Sequence, residues 1–206
     1  MENTDLGYFF NQGFVKHKMP EELFNNIKQE CFKIRDDENG QPKDTHRLDN
    51  YRQDVENYFR NLIFYYQDQY NTQATDWPLD IDDPYLQNLW VNYQRKGEFN
   101  PPHTHTGAYS FNIWVSVPYY NQDEFNHNTS AYANKIRPGA LSGSFMFQYT
   151  NILGELRDMY YEGDKTYEGY CFLFPAKLTH QVFPFYSSDE LRITVSGNIS
   201  QRKNNG

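Results

Sequence analysis

Between Met19 and Asp37 the apolar residues Leu23, Phe24, Ile27, Cys31 and Ile34 recur at the spacing of one helical face, which predicts an amphipathic helix. Pro20 suits the first turn of such a helix, and Glu21 and Glu22 complement its positive dipole end. A second stripe, made of Leu48, Tyr51, Val55, Tyr58, Phe59, Leu62, Ile63 and Tyr66, predicts a helix from about Arg47 to Asn71. Each helix has a single apolar face, so both should lie against something larger. From Trp77 onward the period shortens to two. Leu89, Val91 and Tyr93 alternate with Trp90, Asn92 and Gln94, while Tyr109, Phe111, Ile113, Val115 and Val117 alternate with Ser110, Asn112, Trp114 and Ser116. Further strands are expected at Ser144–Tyr149, Tyr170–Phe174, His180–Phe185 and Glu190–Ile199. Short strands that are not interleaved with helices argue for an antiparallel sandwich or barrel.

The alternation also assigns faces. If Leu191, Ile193 and Val195 pack on the helices or on a second sheet, then Arg192, Thr194 and Ser196 face solvent or a polar interior. Loops are expected at Asn71–Pro84, Asn121–Gly143 and Gly154–Glu168; for the second, a lid and a plain insertion are the two alternatives. The chain of 206 residues reads as a single domain, with a helical support region over 1–76, a β core over 77–200 and a tail over 201–206.

Composition sharpens this picture. A mean hydropathy of −0.91 suggests a poor core, yet 18 Tyr, 16 Phe and 3 Trp can bury large apolar areas. Tyrosine scores as polar while packing as apolar, so the average understates what can be buried. A net charge of −8 repels phosphate, which disfavours nucleic acid as a partner. No apolar run approaches the roughly 20 residues that span a bilayer, and the start lacks the order of a signal peptide. No membrane association and a cytoplasmic location are therefore expected. Cys31 and Cys171 lie far apart, in different kinds of segment, and indicate neither a disulfide framework nor a thiolate metal site.

The chemistry concentrates in Asn100-Pro-Pro-His103-Thr-His105-Thr-Gly107. On an extended segment residues i and i+2 point to one face, so both imidazoles can converge on one ion. A third ligand is available at His180, and Arg192 follows twelve positions later. His17, His46 and His127 fall outside these slots and need no special role.

The region from about Trp90 to Ser200, through His-Thr-His-Thr-Gly-Ala-Tyr-Ser-Phe-Asn-Ile-Trp-Val, Phe-Pro-Ala-Lys-Leu-Thr-His and Arg-Ile-Thr-Val-Ser-Gly-Asn, resembles the 2-oxoglutarate/iron(II)-dependent oxygenases. The likeness is to a subgroup of small oxygenases with a His-x-His motif. It implies a mainly β protein with N-terminal helices and a double-stranded β-helix (jelly-roll) core. It also implies Fe(II) as cofactor, held by His103, His105 and His180, and 2-oxoglutarate as cosubstrate. Arg192 would grip the distal carboxylate bidentately, with Thr194, Asn112 and Tyr93 completing a polar shell. Trp90 and Trp114 are candidates for dry walls. The implied reaction hydroxylates a C–H bond of a peptide side chain or small molecule, consuming dioxygen and releasing succinate and carbon dioxide.

The usual triad has two histidines and one carboxylate, so His105 in the carboxylate slot removes one negative charge. All three histidines as ligands, or one of His103 and His105 with water or an acidic residue such as Glu98, remain alternatives. A three-histidine dioxygenase of the cupin type that ignores 2-oxoglutarate, and a non-catalytic jelly roll, are rival readings. Monomer and homodimer are both compatible with the sequence.

Overall fold

The computed structural model describes residues 13–71, 81–127 and 141–202. The expected strand onset at Trp77 and the residues of the tail beyond 202 lie outside them. The elements run β1 (Val15–Lys18), α1 (Glu21–Asp37), β2 (Thr45–Arg47), α2 (Arg52–Asn71), β3 (Pro84–Gln94), β4 (Asn100–His103), β5 (Tyr109–Ser116), α3 (Asn121–Asn126), β6 (Phe145–Thr150), β7 (Leu156–Tyr161), a 3-10 turn (Lys165–Tyr167), β8 (Tyr170–Pro175), β9 (Thr179–Val182) and β10 (Arg192–Gln201). Among the described residues ten strands form two antiparallel sheets. The larger is ordered β1-β8-β5-β10-β3-β2 and the smaller β4-β9-β6-β7.

The expected helix from Arg47 to Asn71 begins five residues late. Thr45–Arg47 pair with Asn92–Trp90 as an edge strand, and the Leu48 amide donates to the Leu89 carbonyl at 3.1 Å. Tyr51 then adopts a left-handed φ of 59°, which no α-helix can extend through. Leu48 is fully buried in the core that the helices and the sheet share. The described residues before 77 thus supply two strands as well as two helices.

The expected Gly154–Glu168 loop also needs correcting, because it contains β7 and the 3-10 turn. In the Asn121–Gly143 segment the described part includes α3, whose fully buried Glu124 carboxylate accepts from the Tyr186 and Ser187 amides and the Ser187 hydroxyl.

The two faces of the larger sheet have different partners. On one, Ile27 and Cys31 of α1 and Val55, Phe59 and Ile63 of α2 meet Val91, Phe111, Ile113, Leu173 and Val195 in a single core. Phe59 stacks on Phe111 with centroids 3.7 Å apart. Gly197 makes room for that stack, since a Cβ there would lie 2.4 Å from the Phe111 ring. On the other face Trp114, Phe172 and Phe174 meet Phe145, Phe147 and Phe185 between the sheets. Both cysteines are free and buried. Among the described residues no helix is long and apolar enough to cross a membrane.

Candidate active site

The space between the sheets is aromatic in one part and polar in the other. The polar part is a cavity of about 140 Å³, lined by the inward positions of three neighbouring strands: Trp90, Asn92 and Gln94 of β3, Asn112 and Trp114 of β5, and Arg192, Thr194 and Ser196 of β10. These are the polar halves of alternations whose apolar halves pack on the helices. The second sheet closes the cavity with Asn100, His103, Phe145, His180 and Val182, and His105 reaches in from just beyond β4.

His103 and His180 are direct cross-strand partners of β4 and β9, with ring centroids 4.2 Å apart. His105 lies past the end of β4, where its amide donates to the Ala176 carbonyl at 2.8 Å, and Gly107 turns the chain at φ 91°. An added Cβ at Gly107 would come within 2.7 Å of the Ile199 carbonyl oxygen. One potential ligand atom from each of the three histidines lies within 4.8 Å of the others. Nδ1 of His103 donates to the Pro101 carbonyl at 2.7 Å and Nδ1 of His180 to the Leu178 carbonyl at 3.0 Å. Those bonds fix the tautomers and leave Nε2 of both rings as lone-pair donors, an arrangement common around ligating histidines.

His180 packs on the rings of Phe145 and Phe174. Burial pushes its pKa down to about 3, the nearby His103 and His105 rings adding to the effect. Burial likewise lowers His105 to about 4, with His103 contributing. Both imidazoles are neutral at physiological pH, the form that binds a metal ion. The donor set therefore fits Fe(II), since imidazole suits iron and three protein ligands leave positions open. Among the described residues no carboxylate joins the group. Glu98, the acidic alternative, instead accepts from the Arg95 amide at 2.6 Å and lies 3.9 Å from its guanidinium.

Arg192 is 1% exposed. Its Nε donates to Oε1 of Gln94 at 3.0 Å, Nη1 to the Tyr119 hydroxyl at 2.8 Å, and Nη2 to the Phe183 carbonyl at 3.0 Å. The Phe185 ring centroid lies 5.1 Å from Cζ, in the range of a cation–π contact. Among the described residues no carboxylate pairs with this cation. Burial holds the Tyr119 phenol above its ordinary pKa against the opposing pull of Arg192, so it remains a neutral hydroxyl, donating to the Gly143 carbonyl at 2.9 Å. Gly143 has φ 76° and lies against the Tyr119 ring, where an added Cβ would approach to 2.5 Å.

The other expected cosubstrate residues divide. Thr194 and Asn112 line the cavity within one hydrogen-bonded belt: Asn92 donates to Thr194 and Ser196 at 3.3 and 3.2 Å, and Ser196 donates to Asn112 at 3.2 Å. Tyr93 does not join them. It points into the helix-side core, and its hydroxyl donates to the Cys31 carbonyl at 2.6 Å. The period of two sends residue 93 to the face of Leu89 and Val91, while Asn92 and Gln94 take the cavity. Asn92, Gln94 and Asn100, which line the cavity, and Tyr119, which accepts from Arg192, are not singled out by the sequence. For the first two, the signal lay in the same alternation that placed Arg192. Trp90 and Trp114 do line the cavity, with Trp90 5.8 Å from His105 between ring centroids.

Residues 88–198 match the model of a family described as "Putative 2OG-Fe(II) oxygenase". Among solved structures, a prolyl-4-hydroxylase from Pseudomonas putida is similar at 14% identity and a TM-score of 0.58, covering 93% of this chain and 94% of that one. A viral collagen prolyl hydroxylase from Paramecium Bursaria Chlorella virus-1, solved as a 2OG complex, shows 11% identity, TM-score 0.51, and coverage of 92% and 96%. A prolyl hydroxylase from Trichoplax adhaerens, in complex with a hypoxia inducible factor peptide fragment, shows 10% identity, TM-score 0.52, and coverage of 91% and 82%. At these identities the likeness establishes a shared jelly-roll fold. No curated protein matches.

Proposed function

Since the chain belongs to the 2OG-Fe(II) oxygenase family, an enzyme family with Fe(II) as cofactor and 2-oxoglutarate as cosubstrate, we propose that it hydroxylates a C–H bond, of a peptide side chain in preference to a small metabolite. The observation that carries the site assignment is one cavity with two chemically distinct walls: three histidines converge on one, and a buried guanidinium with no carboxylate partner among the described residues belongs to the other. An unpaired buried cation is costly unless a ligand supplies the anion.

When bound, Fe(II) and 2-oxoglutarate would allow dioxygen to act as the oxidant, one of its atoms entering the substrate C–H bond and the other the succinate that remains when 2-oxoglutarate loses carbon dioxide. His103, His105 and His180 would hold the metal on one side and keep its other side open. Arg192 would bind the distal carboxylate, with the Thr194 hydroxyl beside it and the Asn112 amide further along the polar belt. Trp90, Trp114, Phe145 and Phe174 exclude water from the reacting centre, which protects a reactive oxidant from side reactions. No general base is needed in this scheme. The preference for a peptide rests on the shared fold with the P. putida and T. adhaerens prolyl hydroxylases, the latter solved with a peptide bound.

The test combines iron-loaded protein, 2-oxoglutarate and a library of proline-containing peptides, with succinate followed by NMR and peptides by mass. The reading predicts succinate formation that falls by about a hundredfold or more in His180→Ala, the loss expected on removing a metal ligand, together with a peptide that gains one oxygen atom. Succinate formation unchanged in His180→Ala would overturn the site. Succinate without any oxidised peptide would overturn the peptide preference.

A further inference from the structure

Arg192 is surrounded by neutral acceptors, and the nearest of them is itself held from behind. Gln94 stands directly across the β3–β10 ladder from Arg192 and is 8% exposed. A guanidinium only donates, so the Gln94 amide must present Oε1 to it, at 3.0 Å. Its Nε2 then faces the other way and donates to Oδ1 of Asn100 at 3.1 Å. Asn100 belongs to β4, the strand that ends in His103, and pairs with Val182 of β9. A hydrogen-bonded relay therefore runs from the guanidinium on the larger sheet to the histidine-bearing strand on the smaller.

We infer that Gln94 is a positioning residue for the cosubstrate: its amide, locked by Asn100, fixes the plane of the Arg192 guanidinium, and its neutrality leaves that charge available for a ligand carboxylate. A carboxylate at this position would fit the same space and make the same contact. It would also satisfy Arg192 internally and repel an incoming anion. The inference rests on the reading of Arg192 given above and adds the device that keeps its charge uncompensated.

The experiment is an anaerobic calorimetric titration of the Fe(II)-loaded protein with two probes, 2-oxoglutarate and 2-oxopentanoate, which share the chelating end and differ in the distal carboxylate. Wild type should bind 2-oxoglutarate more tightly. Gln94→Glu should weaken 2-oxoglutarate by about tenfold or more, the scale of a like-charge juxtaposition, while 2-oxopentanoate binds as in wild type and Fe(II) affinity is unchanged. Asn100→Ala, on a half-exposed strand, tests the relay independently if Gln94→Glu does not fold. It should weaken 2-oxoglutarate by about threefold, a fraction of one hydrogen bond, and spare 2-oxopentanoate. Equal weakening of both acids in these variants would mark Gln94 and Asn100 as merely structural, and wild-type affinity for 2-oxoglutarate in Gln94→Glu would overturn the charge argument. A wild type that binds the two acids equally would fail one step earlier, at Arg192 itself.

Discussion

Tyr93 and Gln94 are adjacent in the chain and face opposite sides of the sheet. Tyr93 secures α1 through the Cys31 carbonyl, and Gln94 accepts from Arg192 in the cavity. Tyr93→Phe should therefore cost about 1–2 kcal/mol of unfolding free energy, the value of a buried hydroxyl bond whose acceptor is left unmet. Fe(II) and 2-oxoglutarate binding should stay at wild-type level. Urea denaturation and ligand titration on the same variant check both halves; weakened cosubstrate binding at full stability would return Tyr93 to the site. His103, His105, His180 and Arg192 could be singled out as candidates because imidazole and guanidinium carry distinctive chemistry and their spacing is informative, and all four line one cavity. The amides of Asn92, Gln94 and Asn100 could not, because neutral amides abound in this chain and acquire meaning only from the cation they face.

At the scale of elements, the alternation revealed the interior strands and missed the edges. β1 and β2 bound the larger sheet, β4 and β7 the smaller, and none of the four was predicted as a strand, β4 entering only as an extended run. Alternation needs one buried face and one exposed face. The edge strands are mostly solvated on both, as the three exposed side chains of β1 and the four of β7 show. Short length and the two prolines of β4 are devices that protect sheet edges from pairing with other chains. The helices were legible for the opposite reason, since each has one continuous apolar stripe. α2 docks through Phe59, which is fully buried and stacked on Phe111 of β5. Phe59→Ala should lower unfolding stability by about 3–5 kcal/mol, measurable as a shifted urea midpoint with little change in slope. A loss below about 1 kcal/mol would mean that α2 is not held by this contact.

Across the whole molecule, the low mean hydropathy and the well-filled core are reconciled by rings: helices and sheet share one apolar core, while the gap between sheets divides into an aromatic part and a polar cavity. Building neutral histidines into that cavity has a cost that depends on pH. An unfolded histidine takes up a proton near pH 6.5, whereas folded His105 and His180 resist until about 4 and about 3. The unfolded state binds more protons throughout that interval, so stability of the metal-free protein should be level above about pH 7 and fall as pH drops toward 5. The midpoint of thermal unfolding measured between pH 8 and 5 checks this, and His180→Asn should flatten the dependence. A wild-type midpoint that does not fall toward pH 5 would mean that these imidazoles are solvated. Anaerobic titration of the metal-free protein with Fe(II) and then 2-oxoglutarate tests whether one cavity binds iron through three histidines and 2-oxoglutarate through Arg192. Such a two-part site should give the weak visible charge-transfer band of the chelated cosubstrate in wild type and lose it in His180→Ala and Arg192→Met at matched concentrations. Iron binding without a band, or a band that survives both substitutions, would contradict it.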